Sequence, residues 1–322
     1  MKNFYRAVWM FLALFGLFSP RTGYGQTVLY PSLAYASSVR PSDLAIDDLN
    51  GDGTPDIVIA NNLFNAVTVI LRANDGSVIS NVDYFVGAYS TSVALGDLNG
   101  DNKIDIVVAN PENYRVGVLI NQGNGTYSEY VRYNTGGQCF SIILNDLNGD
   151  IKLDIVTANA ASNNMSVMLN NGDGTFAPSM EYSMGTYPRS EAVGDLNDDG
   201  NSDIVVANEF RNTISIRFGN GDGTFQPMSN YAVGANPRSV SVGDLNGDGK
   251  PDVATANYYA HTISVLLNNG DGTLVEQIEY ETGINPSSVK IGDLNTDGKP
   301  DLAVANAGSN TVSVFINTGT DI

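Results

Sequence analysis

Short apolar runs separated by polar, glycine-rich breaks recur along this chain, and their spacing is that of strands. In the stretch 240–280, Val240-Ser-Val242 alternates apolar and polar, and Val253-Ala-Thr-Ala256 is β-branched and small. Thr262-Ile-Ser-Val-Leu-Leu267 follows, and after the break Gly270-Asp-Gly272 a last run leads from Leu274 to Tyr280. Such runs, bounded by Asn, Asp and Gly, predict strands and turns. No 3.6-residue apolar period is sustained long enough to predict a helix.

The same four-run pattern returns at a fixed interval. Asp-Leu-Asn occurs at Asp48, Asp97, Asp146, Asp195, Asp244 and Asp293, always 49 residues apart. Asn61, Asn110, Asn159, Asn208, Asn257 and Asn306 each lie 13 residues beyond their aspartate. Tyr84, Tyr133, Tyr182, Tyr231 and Tyr280 lie 36 beyond theirs in the first five units. A strict period of this length, with four short strands per unit, predicts the blades of a β-propeller. The expectation is an all-β, six-bladed propeller of four-stranded antiparallel blades. Val28 to Tyr35 reads like a fourth strand, Pro31 matching Pro178 and Pro227, and Tyr35 matching Tyr182. This N-terminal strand is expected to complete the sixth blade and close the ring, removing exposed edges.

Charge narrows the partners. Sixteen Lys and Arg against 35 Asp and Glu leave −19, which argues against a nucleic-acid partner because phosphate binding needs a basic face. Residues 1–25 read as a signal peptide: Lys2 and Arg6 precede the apolar run Ala7 to Phe18, and Gly23 and Gly25 precede Gln26. The run is shorter than the ~20 residues a membrane span needs. Cleavage after Gly25 leaves 13 basic residues against 35 acidic, a charge of −22, on a single domain over 26–322. A secreted or cell-surface chain without a membrane span is expected. Cys139 is the only cysteine, so no internal disulfide forms.

The acidic residues are clustered. Each unit carries the nonapeptide Asp-x-Asn-x-Asp-x-x-x-Asp. Position 1 is Asp48, Asp97, Asp146, Asp195, Asp244 and Asp293; position 3 is Asn50, Asn99, Asn148, Asn197, Asn246 and Asn295. Position 5 is Asp52, Asp101, Asp150, Asp199, Asp248 and Asp297; position 9 is Asp56, Asp105, Asp154, Asp203, Asp252 and Asp301. These side chains, with the position-7 carbonyls of Thr54, Lys103, Lys152, Asn201, Lys250 and Lys299, can wrap one calcium ion per loop, since calcium takes six to eight oxygens in irregular geometry. Without a cation the crowded carboxylates are expected to repel one another and titrate high. Gly at position 6 permits the positive φ that folds the loop; Asn102 and Ile151 replace it in units two and three, so the Asp146 loop is expected to be the weakest site or an empty one.

These loops, followed by Asp105-Ile-Val-Val-Ala-Asn110 and its variants, resemble the FG-GAP/VCBS repeat family, whose calcium-binding blades also build integrin α-subunit propellers. The resemblance spans essentially all of 26–322 and implies that the five residues of each loop named above bind calcium. The integrin propeller has seven blades, and this sequence accounts for six.

Outside the loops, the Gly-Asp-Gly segments at 172–174, 221–223 and 270–272 read as hairpin turns, and the Asn61 series as backbone-satisfying residues. Asn124 and Asn164 head glycosylation sequons. His261 is the only histidine, and without repeated or clustered histidines a zinc site or His-based triad is not expected. Glu191 stands where the other units have Leu44, Val93, Ile142, Val240 and Val289; it reads as an ion-pair partner of Arg189 or Arg238, or as an acid/base group. In a four-stranded meander, the Asp loops and Gly-Asp-Gly turns share one face. The opposite face collects Phe64, Tyr114, Phe210, Arg211, Tyr258, Tyr259 and His261, with Tyr89 and Tyr187. Aromatics that vary between otherwise similar units suggest a ligand surface for a glycan or an extracellular protein. Three functions stay open: a recognition or adhesion module, a polysaccharide-active lyase or hydrolase, and a purely structural secreted protein.

Overall fold

The structure is a computed structural model that describes residues 40–87 and 89–319, all within one compact unit, Ser37–Ile322. The expected signal peptide, 1–25, and the expected closing strand, Val28 to Tyr35, lie outside the described residues. Among those residues there are six sheets, each an antiparallel meander in chain order, and one 3-10 turn at Pro111–Asn113. No described helix is long and apolar enough to cross a membrane.

Blade one is β1 (Pro41–Asp47), β2 (Asp56–Asn61), β3 (Ala66–Arg72) and β4 (Val78–Phe85); blade two is β5 (Val93–Gly96), β6 (Asp105–Asn110), β7 (Arg115–Leu119) and β8 (Val131–Asn134). Blade three is β9 (Cys139–Asn145), β10 (Asp154–Asn159), β11 (Asn164–Met168) and β12 (Met180–Ser183); blade four is β13 (Pro188–Gly194), β14 (Asp203–Asn208), β15 (Thr213–Arg217) and β16 (Ser229–Ala232). Blade five is β17 (Pro237–Gly243), β18 (Asp252–Asn257), β19 (Thr262–Leu266) and β20 (Ile278–Glu281); blade six shows three strands, β21 (Pro286–Gly292), β22 (Asp301–Asn306) and β23 (Thr311–Phe315). The antiparallel order puts the Asp loops and the 3–4 turns at one end of every blade. The 2–3 loops and the links between blades lie at the other.

The core lies between blades. The second strands β6, β10, β14 and β18 are buried at every position, as expected for strands covered on both faces. The first strands of successive blades lie against one another, from β1 on β5 through to β17 on β21. Aromatic contacts stitch blades one to four in sequence: Tyr84 meets Tyr127 edge-on at 5.3 Å, Tyr133 meets Phe176 at 5.4 Å, and Tyr182 meets Phe225 at 5.3 Å. Asn121 Nδ2 donates to the Leu49 carbonyl of the preceding blade at 2.8 Å, and Asn170, Asn268 and Asn317 repeat the bond to Leu98, Leu196 and Leu245. The Asn61 series, expected to satisfy backbone groups, bonds mainly to side-chain hydroxyls instead. Asn61, Asn159, Asn208 and Asn257 are buried, and each Nδ2 donates to a Ser or Thr hydroxyl of the third strand.

The end blades differ. Leu44 of β1 is 59% exposed, whereas its counterparts Val93, Val240 and Val289 are buried. Val312 and Val314 of β23 are exposed where Val67, Val69, Ile263 and Val265 are buried.

Candidate functional site

The Asp loops fold on themselves through short backbone bonds. In the first, Asp48 Oδ1 accepts from the Gly51 and Asp52 amides at 2.8 and 3.2 Å, and Oδ2 from Gly53 at 2.7 Å. Asn50 Oδ1 accepts from Asp52 N at 2.9 Å, and Asp52 Oδ1 from Thr54 N at 2.7 Å. Position 9 turns inward instead: Asp56 Oδ2 accepts from Leu49 N and Oδ1 from Arg72 N, so it pins the loop to the end of β3. All six position-9 aspartates make this pair of bonds, and all are buried.

In Asp56, Asp105, Asp154, Asp203 and Asp252, burial rather than crowding is the main force on the carboxyl. Asp105 and Asp203 are pushed up to about 6 by desolvation first, with the neighbouring loop carboxylates a smaller contribution. Asp56, Asp154 and Asp252 move the same way for the same reason. The expected rise does not extend through the loop. Asp52 lies below the ordinary carboxylate range because the Thr54 amide and the Asn50 side chain donate to it. Asp101 does so because Lys103 Nζ lies 2.9 Å away. Lys152 makes the same contact with Asp150 at 3.0 Å.

Position 6 has positive φ in all six loops, including Asn102 at 61° and Ile151 at 69°. The Ile151 loop keeps every backbone bond of the others, and its side chain is 93% exposed. Asp146, Asn148, Asp150, Lys152 and Asp154 therefore hold the common loop conformation. The donor set of each loop is all oxygen and acidic, which suits a hard cation such as calcium and not a thiolate- or imidazole-seeking metal. Among the described residues, no group of three or more His, Cys, Asp or Glu side chains is already gathered as a metal centre, because the loop carboxylates point at their own amides.

On the opposite face the structure assembles a cluster from blades three to five. Glu209, just after β14, is buried and takes two arginines: Arg189 Nη1 at 3.4 Å from Oε2, and Arg238 Nε and Nη2 each at 3.0 Å from Oε1. Arg238 also donates to Asn236 Oδ1 at 3.1 Å and lies over Tyr258, its Cζ 3.4 Å from the ring centroid. Arg189 sits 5.3 Å from the centre of Phe140. Phe140 leads to Tyr187 at 6.1 Å, and Tyr187 stacks on Phe210 at 4.4 Å; Tyr259 meets Tyr258 edge-on at 5.3 Å. Tyr89 belongs to the same neighbourhood: burial, then Glu112 and Tyr187, raise its hydroxyl.

Of the residues expected on this face, Phe210, Tyr258 and Tyr259 join the cluster with Tyr187. Arg211 lies beside it, donating to Thr186 Oγ1 at 3.1 Å and lining a cavity of about 350 Å³ with Met184, Thr213, Met228 and Asn230. Phe64 and Tyr114 are exposed and make no ring contact among the described residues. Tyr114 and His261 occupy one register position with Asn65, Asn163, Asn212 and Asn310, and all six have positive φ. His261 Nδ1 accepts from Asn285 N at 3.0 Å, as Asn163 and Asn212 accept from Tyr187 N and Asn236 N. It is a loop clamp.

Glu191 departs from expectation. Arg189 and Arg238 pair with Glu209, and Glu191 pairs with neither. Its side chain is buried on β13 towards Ser141 of blade three, with no hydrogen-bond partner on either oxygen, and burial pushes it up to about 8. Cys139 is buried, donates to the Arg115 carbonyl at 3.0 Å and is pushed up to about 11 by burial, which leaves it inert as a nucleophile. Sequence reading missed Phe140, Glu209 and Asn236. The available signal was register variation: Phe140, Arg189 and Arg238 stand where other units have Ser42, Thr91 and Ser287.

Comparison with known proteins places this geometry. Segments 48–108, 97–157, 146–206, 195–255 and 244–304 each match the FG-GAP-like repeat. No curated protein matches the sequence. Among solved structures, a putative 6-phosphogluconolactonase of Bacteroides uniformis is similar over 90% of this chain and 85% of its own, with 18% identity and a TM-score of 0.65. An Agrocybe aegerita lectin described as recognising non-reducing terminal N-acetylglucosamine is similar over 88% and 82%, with 21% identity and a TM-score of 0.57. Virginiamycin B lyase of Staphylococcus aureus, solved with quinupristin as an inactive variant, covers 87% and 85% with 14% identity and a TM-score of 0.57. At these identities the likeness is one of fold. Five overlapping repeat matches spanning 48–304 carry the assignment: this chain belongs to the FG-GAP-like repeat family.

Proposed function

We propose that this chain is a secreted, calcium-binding propeller that recognises a glycan on the face opposite its Asp loops. The observation that carries the reading is the cluster of Phe140, Tyr187, Phe210, Tyr258 and Tyr259 around Arg189, Glu209 and Arg238. Aromatic faces beside fixed polar groups are the surface on which sugar rings stack while their hydroxyls are hydrogen-bonded. A lectin with the same fold fits carbohydrate as the ligand class. Glu191, the residue that hinted at an enzyme, is buried between blades with no hydrogen-bond partner on either oxygen, which favours the recognition reading.

In the Asp loops, the position 1, 3, 5 and 9 side chains and the position 7 carbonyl would hold calcium, whose charge would replace the backbone amides as partner of the exposed carboxylates. That role is structural, because the loops and the aromatic cluster occupy opposite ends of the blades. The test is a glycan array with the chain 26–322, in calcium and in chelator. Saturable binding to a defined sugar class, lost on Tyr258→Ala together with Phe210→Ala, is expected. An array on which no sugar is retained in either buffer overturns the reading.

A further inference from the structure

We infer that the ligand site selects carboxylated sugars, with the free donors of Arg189 and Arg238 as the carboxylate clamp; the inference rests on the glycan reading above. The cluster Arg189–Glu209–Arg238 holds two guanidinium groups and one carboxylate, so it keeps one net positive charge in a chain of −19. Glu209 spends its charge at depth, with its side chain 4% exposed, while Arg189 and Arg238 remain 34% and 23% exposed. Arg189 uses a single donor, Nη1, in a long 3.4 Å contact, and no other bond engages its guanidinium nitrogens. Arg238 spends Nε on Glu209 and Asn236 and Nη2 on Glu209, leaving Nη1. None of the unused donors is a buried, unpartnered atom, so they face solvent.

The orientation of these donors is set in advance. Glu209 joins the arginine of its own blade to that of the next, and the rings of Phe140 and Tyr258 lie 5.3 and 3.4 Å from the Cζ atoms of Arg189 and Arg238. A guanidinium held in plane loses little entropy on gripping a carboxylate, and such charge-assisted bonds are about twice as strong as neutral ones. Adjacent ring faces on Tyr187, Phe210 and Tyr259 supply the stacking surface. The specialisation is local. At the register position of Arg189 and Arg238, blades one, two and six carry Ser42, Thr91 and Ser287. The ligand chemistry is a carboxylate on a pyranose ring, whether from a hexuronate or a sialate.

The experiment is isothermal titration of the chain 26–322 with oligogalacturonate, sialyllactose, a carboxyl-reduced galacturonate oligomer of the same length, and a sulfated neutral oligomer. It is run in calcium and in chelator, for the native chain, Arg189→Gln and Arg238→Gln. At least tenfold tighter binding of one carboxylated ligand over the reduced one is expected, with that preference lost in Arg189→Gln while its melting temperature holds. Arg189 makes only one long bond, so this variant keeps the fold; Arg238→Gln tests the second arm. Equal affinity for the carboxylated and reduced oligomers overturns the inference and leaves the glycan reading standing. Preference for the sulfated oligomer, or acid binding that survives Arg189→Gln and vanishes in chelator, overturns it too. Absence of binding to all four sugars, repeated on the array, defeats both.

Discussion

Replacing Glu191 with valine should stabilise this protein, by an amount that grows with pH. Val93, Val240 and Val289 fill the same register position in other blades and are buried there. Glu191 instead brings a carboxyl without a hydrogen-bond partner into the space between blades three and four, where it titrates near 8 against an ordinary 4.5. At pH 7 the unfolded chain ionises this group and the folded chain keeps it protonated, a difference of about 3 kcal/mol against folding. Valine removes that term, and the smaller side chain gives back roughly 1 kcal/mol as unfilled space. The net gain is about 2 kcal/mol, a rise of roughly 4–8 °C in melting temperature for a domain of this size. Because the folded value is raised, the contribution of Glu191 is complete below about pH 4.5 and lost as pH rises through 8, at about 1.4 kcal/mol per pH unit. The assay is thermal unfolding followed by circular dichroism from pH 5 to pH 8 in calcium-free buffer. The position-9 aspartates titrate in both proteins and cancel in the difference. Glu191→Gln, which keeps the shape but cannot ionise, should flatten the pH dependence without the full gain. A native-minus-valine difference that is constant across this pH range would refute the reasoning, as would a valine variant less stable at pH 7.

Three further outcomes are expected. Chelation should lower the melting temperature, since each loop with a Kd of roughly 10⁻⁴–10⁻³ M adds about 0.4–1.4 kcal/mol at ~1 mM calcium; an unchanged melting curve in chelator refutes calcium binding. Ile151→Gly should raise stability by about 1 kcal/mol, because a β-branched residue is strained at φ 69° and this side chain, 93% exposed, makes no compensating burial; loss of stability in urea unfolding would count against it. His261→Asn should leave the melting temperature within about 1 °C, and His261→Ala should lower stability by about 1 kcal/mol by removing the acceptor for Asn285 N; equal loss in both variants would show that the imidazole does more than clamp the loop.

Much of the fold is legible in one dimension. Register at 49 residues marks the blades, and β-branched runs mark their strands. Meander parity separates the Asp loops from the aromatic face, because successive antiparallel strands must alternate ends. The positive φ at position 6, including Ile151, follows from Gly in the other loops. The role of His261 is not legible in this way: the sequence sets it among the ligand-face residues, and only its bond from Asn285 N shows it to be a loop clamp. What each loop aspartate does is less visible. Position 9 resembles its neighbours in sequence, but it is the first residue of a buried strand and so turns inward to the Leu and post-β3 amides.

What recurs can be read along the chain: the unit, its strands, its loops and the end of the blade on which each loop lies. What joins one blade to the next across different register positions emerges only when the blades are packed together. Glu191 stands two residues from Arg189 in the chain, where an unbroken strand would put both on one face, yet the register shift between Pro188 and Ser190 breaks that alternation and Glu191 is buried between blades. Glu209 stands 20 residues from Arg189 and 29 from Arg238, yet it receives both. The physical reason is that a repeat records translation along the chain, whereas a charge cluster depends on how each blade is turned and set against its neighbour. That setting is fixed by the packing of whole faces such as Tyr182 on Phe225, and no single position encodes it.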